Sequence, residues 1–301
     1  MINVIRPICI IGLLISCTTS KPPITTPEAN TRVKDERVTE MLLGHCTRTA
    51  LLESPYKEWF VKNYNDYAVD SSAANELARL LAGKTIVTFM GTWCGDSKRE
   101  VPRLLKILDY CHFRNENLNL VMVSYRDGAY KQSPQHEERG KNIFRVPTIL
   151  LYAGNKELGR IIEFPKQSLE KDMVSILKNE QYKPNYAGGY DFFQKMNSRS
   201  MKKLQADSTQ LSASLRSSLR NSFELNSIGN VLFDQGQKEK SLFVFNLNKD
   251  LYPGAANVWN GFAKINISLN RYDEARLALA RALALDSTNE ETKRLTALMG
   301  H

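Results

Sequence analysis

One stretch of this chain limits its fold more than any other: an apolar, β-branched run that passes directly into a helical pattern. Residues 86–90, Ile-Val-Thr-Phe-Met, predict a buried strand. Further on, apolar side chains recur at the spacing of an amphipathic helix, at Val101, Leu104, Leu105, Leu108 and Cys111. Cys94 therefore lies where a strand gives way to a helix. The unpaired N–H groups and dipole of a helix start favour an anion, and the thiolate is the nucleophilic form of cysteine.

Two motifs, in the expected order, resemble the thioredoxin family. Residues 93–97, Trp-Cys-Gly-Asp-Ser, resemble its active-site turn, usually Trp-Cys-Gly-Pro-Cys, and Pro102 stands where thioredoxins carry a helix-kinking proline. Residues 145–152, Arg-Val-Pro-Thr-Ile-Leu-Leu-Tyr, resemble the cis-proline strand of the family, and the resemblance covers about residues 84–177. It implies catalytic roles for Cys94, Ser97 and Pro147. It also implies that a client chain would lie against Trp93, Gly95, Asp96, Val146 and Thr148.

The sequence departs from the family at two positions that matter for chemistry. Ser97 replaces the second cysteine, which removes the usual resolving thiol. Thr88 stands where many thioredoxins keep a buried acid, which removes the usual internal proton acceptor. In addition, Asp96 is expected to oppose thiolate formation at Cys94 through like charge, partly offsetting the helix end.

The first residues predict a processing signal. Arg6 precedes an apolar segment, residues 8–15, that is too short to span a bilayer comfortably. Leu-Ile-Ser-Cys at 14–17 resembles the lipobox of bacterial lipoproteins, which implies removal of residues 1–16 and lipidation of Cys17. The mature protein would then be held on a membrane of the bacterial cell envelope, facing an extracytoplasmic compartment. The alternative is an ordinary secretory signal with an incidental cysteine, which also leads to a compartment where disulfides persist.

The remaining pattern divides the chain into a tether and two domains. Residues 17–34, rich in Thr and Pro, predict an extended tether. Residues 35–180 predict a thioredoxin-like α/β domain, a mixed sheet flanked by helices, with an N-terminal helical extension over about Asp35–Leu52. An aromatic cluster at 56–67 is interpreted as core or as a cap on the sheet, with peptide binding as the alternative. Residues 181–190 contain Pro and two Gly and predict a linker.

The C-terminal part, residues 191–301, predicts an all-α domain with an internal repeat. Residues 222–255 share a pattern with residues 256–289: Leu225, Ile228, Gly229, Gly236, Ser241, Phe245 and Pro253 recur thirty-four positions later as Trp259, Phe262, Ala263, Asn270, Ala275, Leu279 and Ser287. This period resembles the tetratricopeptide repeat, which implies paired helices and a groove for a protein partner. Small residues would let the paired helices approach closely, and residues 290–299 would form the capping helix.

The other cysteines and the histidines offer few further sites. Cys111 follows Cys94 by seventeen residues along one helix, roughly 25 Å, so the two thiols cannot bond directly and Cys111 is assigned to core packing. Cys46 is left open: it could resolve Cys94, pair with Cys111 or stay reduced. The four histidines show no metal-ligand spacing, and neither a phosphate loop nor a dinucleotide-binding glycine pattern is present. We therefore expect no metal and no cofactor.

These features lead to two functional hypotheses of different classes. The first is a membrane-tethered monothiol thiol–disulfide oxidoreductase that acts on client protein thiols or disulfides, by mixed-disulfide reduction or isomerisation. The second is a non-catalytic binding module that holds extended peptides or a protein partner at the repeats. A weaker third idea is an oxidant sensor that forms a sulfenic acid at Cys94. The net charge of +9 is modest, and no nucleic-acid recognition motif accompanies it, so a nucleic-acid partner is not expected.

Overall fold

The computed structural model describes residues 29–35 and 39–299. It shows a mixed sheet with flanking helices, followed by a helical region. The predicted signal peptide, the lipid-attachment residue Cys17 and most of the predicted tether lie outside the described residues. Among the described residues, no helix is both long and apolar enough to cross a membrane.

The described part of the sheet has six strands. They are β1 (Thr31–Asp35), β2 (Thr39–Cys46), β3 (Lys84–Met90), β4 (Leu118–Met122), β5 (Thr148–Ala153) and β6 (Lys156–Ile162), in the spatial order β1-β2-β4-β3-β5-β6. β3 and β4 are parallel, and every other neighbouring pair is antiparallel. Parallel strands end at the same edge, so β3 and β4 deliver the residues that follow Met90 and Met122 to one place.

Helices cover the sheet around β3. They are α1 (Arg48–Leu51), α2 (Lys57–Asp66), α3 (Ser71–Leu80), α4 (Gly95–Tyr110) and α5 (Leu169–Leu177), with a short 3₁₀ turn at Asn115–Asn117. Ile86 and Met90 of β3 pack in the clusters that contain the apolar stripe of α4. Phe89 packs in a third cluster, with Val121 and with Val146 of the segment between β4 and β5. β3 is therefore buried by α4 on one face and by that segment on the other.

The helix predicted over residues 35–52 is wrong. Thr39–Cys46 forms β2, and only Arg48–Leu51 is helical. The physical reason is that β2 is covered on both faces, since its adjacent side chains Met41 and Leu42 are both 0% exposed. Burial on both faces removes the alternation that marks a half-exposed strand and leaves apolar spacings that also fit a helix. The last residues of the predicted tether also differ, because Thr31–Asp35 forms β1 in the sheet.

The helical region consists of α6 (Ala187–Ser198), α7 (Met201–Ala206), α8 (Ser208–Ser218), α9 (Phe223–Asp234), α10 (Lys238–Leu251), α11 (Ala256–Ser268), α12 (Tyr272–Leu285) and α13 (Glu290–Met299). α6 begins inside the predicted linker, so the irregular stretch is shorter than expected. The close approach predicted for small residues is present between α9 and α10. A Cβ on Gly229 would lie 2.8 Å from the Phe245 ring, and Ser241 Oγ donates to Gly229 O at 2.8 Å.

The two regions share one hydrophobic core. Phe144, before β5, and Ile162, at the end of β6, are buried in one cluster with side chains from α6, α8, α9 and α10. The Phe144 and Phe193 rings meet edge to face, with centroids 6.2 Å apart. The helical region is therefore packed directly against the segment that leads into β5.

Candidate functional site

Cys94 lies at the N-terminus of α4, where its backbone is extended (φ −88°, ψ 125°) and the helix begins at the next residue. Its side chain is half-buried and its thiol is free. The thiol donates to Val146 O, with 3.2 Å between Sγ and the carbonyl oxygen. The strand-to-helix position predicted for Cys94 is confirmed, and its sulfur faces the backbone that precedes Pro147.

The antiparallel pairing of β5 with β3 brings that backbone to Cys94. Thr148, the first residue of β5, pairs with Phe89 near the end of β3. The Val146–Pro147 peptide bond is cis, and the Val146 side chain is buried. Thr148 Oγ1 donates to Arg145 O at 2.7 Å, which closes the turn around the proline. The sequence motifs around Cys94 and Pro147, fifty-three residues apart in the chain, therefore meet in space.

Ser97 has a partner in the backbone at the end of β3. It is 0% exposed, and Gly91 N donates to its Oγ at 3.2 Å. The hydroxyl thus ties the first turn of α4 to the end of β3.

The charge of Asp96 is compensated within the first turn of α4. Arg99 Nη2 donates to Asp96 Oδ1 at 2.6 Å, and Arg99 Nε donates to the buried carboxylate of Glu100 at 2.6 Å. The negative charge of Asp96, which was expected to oppose thiolate formation at Cys94, is thus paired with the adjacent cation of Arg99. Gly95 has open space where a Cβ would stand, so this side of the turn is accessible.

An aromatic rim borders the site beside Trp93. The Trp93 indole N–H donates to Val123 O at 2.9 Å, and its ring centroid lies 4.9 Å from that of Tyr125. Tyr130 meets Tyr125 edge to face at 6.3 Å. Neither Tyr125 nor Tyr130 was predicted from the sequence. Their position shortly after β4 is the signal that could have found them, because parallel neighbours such as β3 and β4 end at the same edge.

Tyr130 is held between cations at the border with the helical region. Burial raises its pKa, but nearby Lys131, a hydrogen bond with Ser227 and the charge of Arg145 outweigh that effect, so the pKa lies below its usual range. Lys131 Nζ lies 4.8 Å from the centre of the Tyr130 ring. The rim is thus joined to a cationic cluster in the interior.

The structure does not bring Cys46 to Cys94. Cys46 pairs with Leu120 of β4, which in turn pairs with Thr88 of β3, so two strand spacings, about 9.6 Å, separate Cys46 from β3 alone. A disulfide needs Cα atoms within about 7 Å. Cys46 is buried, and burial raises the pKa of its thiol to about 12.

Cys111 lies at the far end of α4 in the hydrophobic core, as predicted. Its thiol donates to Ala74 O at 3.4 Å, and burial raises its pKa to about 11. Thr88 is also fully buried, and its hydroxyl has no hydrogen-bond partner among the described residues, so a neutral group occupies this position beneath the site. Within residues 29–35 and 39–299, no group of three His, Cys, Asp or Glu side chains could hold a metal ion.

The fold and the site together define the class of this protein: a mixed α/β sheet that presents one half-buried cysteine at a helix start, followed by an all-α region packed against it. Comparison with known proteins found no matching family model, no matching curated protein and no matching solved structure. The function is therefore inferred from the residues and their geometry.

Proposed function

We propose that this protein is a thioredoxin-like monothiol thiol–disulfide oxidoreductase with tetratricopeptide-like repeats, tethered in the bacterial cell envelope through Cys17. The observation that carries the proposal is the Cys94 sulfur at a helix start, 3.2 Å from the carbonyl of Val146 and beside Pro147. An extended client segment placed along Val146 would bring its own sulfur next to Cys94. The Trp93–Tyr125 rim supplies an apolar wall for such a segment.

The exchange proceeds through one mixed disulfide. The Cys94 thiolate attacks one sulfur of a client disulfide, the client S–S bond breaks, and the second client sulfur leaves as a thiolate. In isomerisation, a different thiolate of the client attacks the client sulfur bound to Cys94, which forms a new client disulfide and releases the Cys94 thiolate without net redox change. In reduction, a small thiol attacks the Cys94 sulfur, and the client leaves with both of its sulfurs as thiols. A second small thiol then attacks the small-thiol sulfur bound to Cys94, which forms the oxidised small-molecule disulfide and releases the Cys94 thiolate.

The surroundings of Cys94 favour this monothiol course. Ser97 Oγ accepts from Gly91 N, and neither Cys46 nor Cys111 can reach Cys94 in the folded chain. Release must therefore come from a thiol outside this fold. Isomerisation and mixed-disulfide reduction fit this requirement better than net oxidation, which needs a resolving partner in the same site.

Trapping in native cells tests the proposal. Wild-type protein, Cys94→Ala and the matched control Cys111→Ala are compared on non-reducing gels, with adducts identified by mass. We expect wild-type and Cys111→Ala to carry client adducts that dithiothreitol removes, and Cys94→Ala to carry none. Absence of adducts in wild-type, with Cys94 alkylated no faster than a free cysteine, would contradict the proposed activity.

A second candidate function is a non-catalytic binding module, and a groove on the helical region favours it. The groove holds a cavity of about 180 Å³ formed by α9, α11 and α13, and its lining includes Asn230, Lys264 and Glu291. Polar side chains in a groove of this kind could bind a partner chain. Pull-down of the same partners by wild-type and Cys94→Ala under reducing conditions would favour binding over exchange.

A further inference from the structure

We infer that the helical region holds the Val146–Pro147 segment in place next to Cys94. In this arrangement Ser227 of α9 is a positioning residue for that segment. The inference rests on the proposed function, because it concerns how that site is held. The three residues before Pro147 connect the cysteine site to the helical region, through contacts that neither sequence motif predicts.

The backbone carbonyl of Phe144 is where the helical region holds the segment before Pro147. Ser227 Oγ donates to Phe144 O at 2.5 Å, and Lys131 Nζ donates to the same oxygen at 2.5 Å. Lys131 Nζ also donates to Ser227 Oγ at 2.8 Å, which closes a triangle. All three residues are buried, so water does not compete for these bonds. Two donors from different parts of the chain thus fix one peptide group.

The side chain of Phe144 is fixed by α6. Its ring meets Phe193 edge to face, and Gly189 lies close enough that an added Cβ would come within 3.0 Å of the ring. The same Cβ would lie 2.5 Å from a carboxylate oxygen of Glu224 in α9. Glycine at 189 therefore allows α6, α9 and Phe144 to pack together.

The next residue is held as firmly. The guanidinium of Arg145 lies 4.7 Å from the centre of the Tyr186 ring, just before α6, and Nη1 donates to Glu163 Oε1 at 3.2 Å. Burial and a hydrogen bond to Glu163 raise the pKa of Tyr186 to about 12, so the ring stays neutral against the cation. Residues 144 and 145 are thus fixed to the helical region.

Val146 follows these two residues and faces Cys94. Only Arg145 separates Phe144 from Val146, and Arg145 is itself held by Tyr186 and Glu163, so we expect a shift at Phe144 to reach the carbonyl that contacts the sulfur. A second contact joins α9 to the stretch between β4 and β5: Tyr130 N donates to Asp234 Oδ2 of α9 at 2.8 Å. Helix α9 therefore contacts this stretch at two places, at Tyr130 and at Phe144.

The full-length protein with single substitutions tests this assignment. In Ser227→Ala the carbonyl of Val146 is less well held over Cys94, so we expect iodoacetamide to alkylate Cys94 about fivefold faster, the population change that loss of one buried hydrogen bond allows. Exchange with a disulfide-containing peptide should slow, because the client backbone loses its fixed partner. Because unfolding would also expose Cys94 and slow exchange, both rates are measured on protein whose circular-dichroism spectrum and urea midpoint show that it is folded.

Matched variants separate positioning from folding. Ser227→Thr keeps the hydroxyl and should restore both rates, whereas Ser241→Ala removes an equivalent hydroxyl-to-carbonyl bond between α9 and α10 and should leave both at wild-type values. If Ser227→Ala loses its circular-dichroism signal, Asp234→Asn replaces it and the same rates are measured. Wild-type alkylation in the folded variant would overturn the inference. Absence of peptide exchange by wild-type would instead overturn the proposed function, and the alkylation rates would still decide the role of Ser227.

Discussion

Ser97 occupies the position from which a thiol could release a mixed disulfide on Cys94. Residues three apart at a helix start have Cα atoms about 5 Å apart, which is within the range of about 4.4–6.8 Å between Cα atoms that a disulfide requires. We therefore expect Ser97→Cys to form an intramolecular disulfide with Cys94 under oxidising conditions. Client adducts on non-reducing gels should fall at least about fivefold, because the new thiol attacks the mixed disulfide from within. Peptide mass mapping identifies the new bond.

Ser97→Ala is the matched control for this prediction. It removes the hydroxyl that accepts from Gly91 N, so it should cost about 1 kcal/mol of unfolding free energy while client adducts persist. If adducts are as abundant in Ser97→Cys as in wild-type, the two side chains do not meet and the assigned geometry of the turn is wrong.

Cys46 gives the protein a pH dependence in the alkaline range. Its folded pKa, about 12, lies above the ordinary value of 9.0, so the unfolded chain loses this proton first as pH rises. The contribution of the neutral, buried Cys46 thiol to folding stability is fully present below pH 9. It declines between pH 9 and pH 12, because the unfolded chain then releases a proton that the folded chain keeps. We expect the free energy of unfolding to fall by about 1 kcal/mol between pH 8 and pH 10 because of this group.

Urea denaturation at the two pH values, with a reductant present, measures this effect. Cys46→Ala should show a smaller decrease than wild-type over the same interval, whatever its stability at pH 8. An equal decrease in both proteins would show that other groups cause the pH dependence.

At the level of whole elements, the local hydrophobic pattern predicted secondary structure correctly where one face of an element is exposed. The apolar stripe from Val101 to Cys111 predicted helix α4. The paired small residues predicted the close contact between α9 and α10. The pattern misled at β2, where Met41 and Leu42 are both buried and no alternation remains. The segment between β4 and β5 lacks regular structure, so neither Tyr125 nor the anchoring of Phe144 by Ser227 had a periodic signal in the sequence.

The contact between α9 and α10 is tested by Gly229→Ala. The added methyl group would lie 2.8 Å from the Phe245 ring, and such overpacking costs typically about 1–3 kcal/mol, against a gain of up to about 1 kcal/mol in helix propensity. We expect a net loss of about 1–2 kcal/mol in unfolding free energy by chemical denaturation. The loss should shrink when Phe245→Leu is present as well, because the smaller side chain leaves room.

Gly254→Ala serves as the control for that substitution. Nothing lies within 4 Å of a Cβ added at Gly254, so the unfolding free energy should change by less than about 0.5 kcal/mol. Equal effects at 229 and 254 would show that conformational entropy, and not the packing against Phe245, governs the response.

For the molecule as a whole, the contacts between the regions argue against two independent domains. Beyond the shared core around Phe144 and Phe193, ion pairs cross the border: Lys264 of α11 lies 2.7 Å from Asp127, and Arg294 of α13 lies 3.9 Å from it. The exposed ion pairs contribute little by themselves. The buried core contributes much more, because its aromatic side chains leave water only when both regions are folded.

A shared core predicts that both regions unfold in one cooperative transition. Trp259 of α11, as the sole tryptophan in a Trp59→Phe/Trp93→Phe background, reports on the helical region, and pulse labelling of the buried Cys111 thiol reports on the sheet region. The two midpoints in urea should coincide. Phe193→Ala should lower both together, by about 3–5 kcal/mol of unfolding free energy, since it opens a cavity beside Phe144. If Trp259 instead responds at a lower urea concentration than Cys111, or if Phe193→Ala lowers only one midpoint, the regions fold separately and α9 cannot hold Val146 in the way its contacts require.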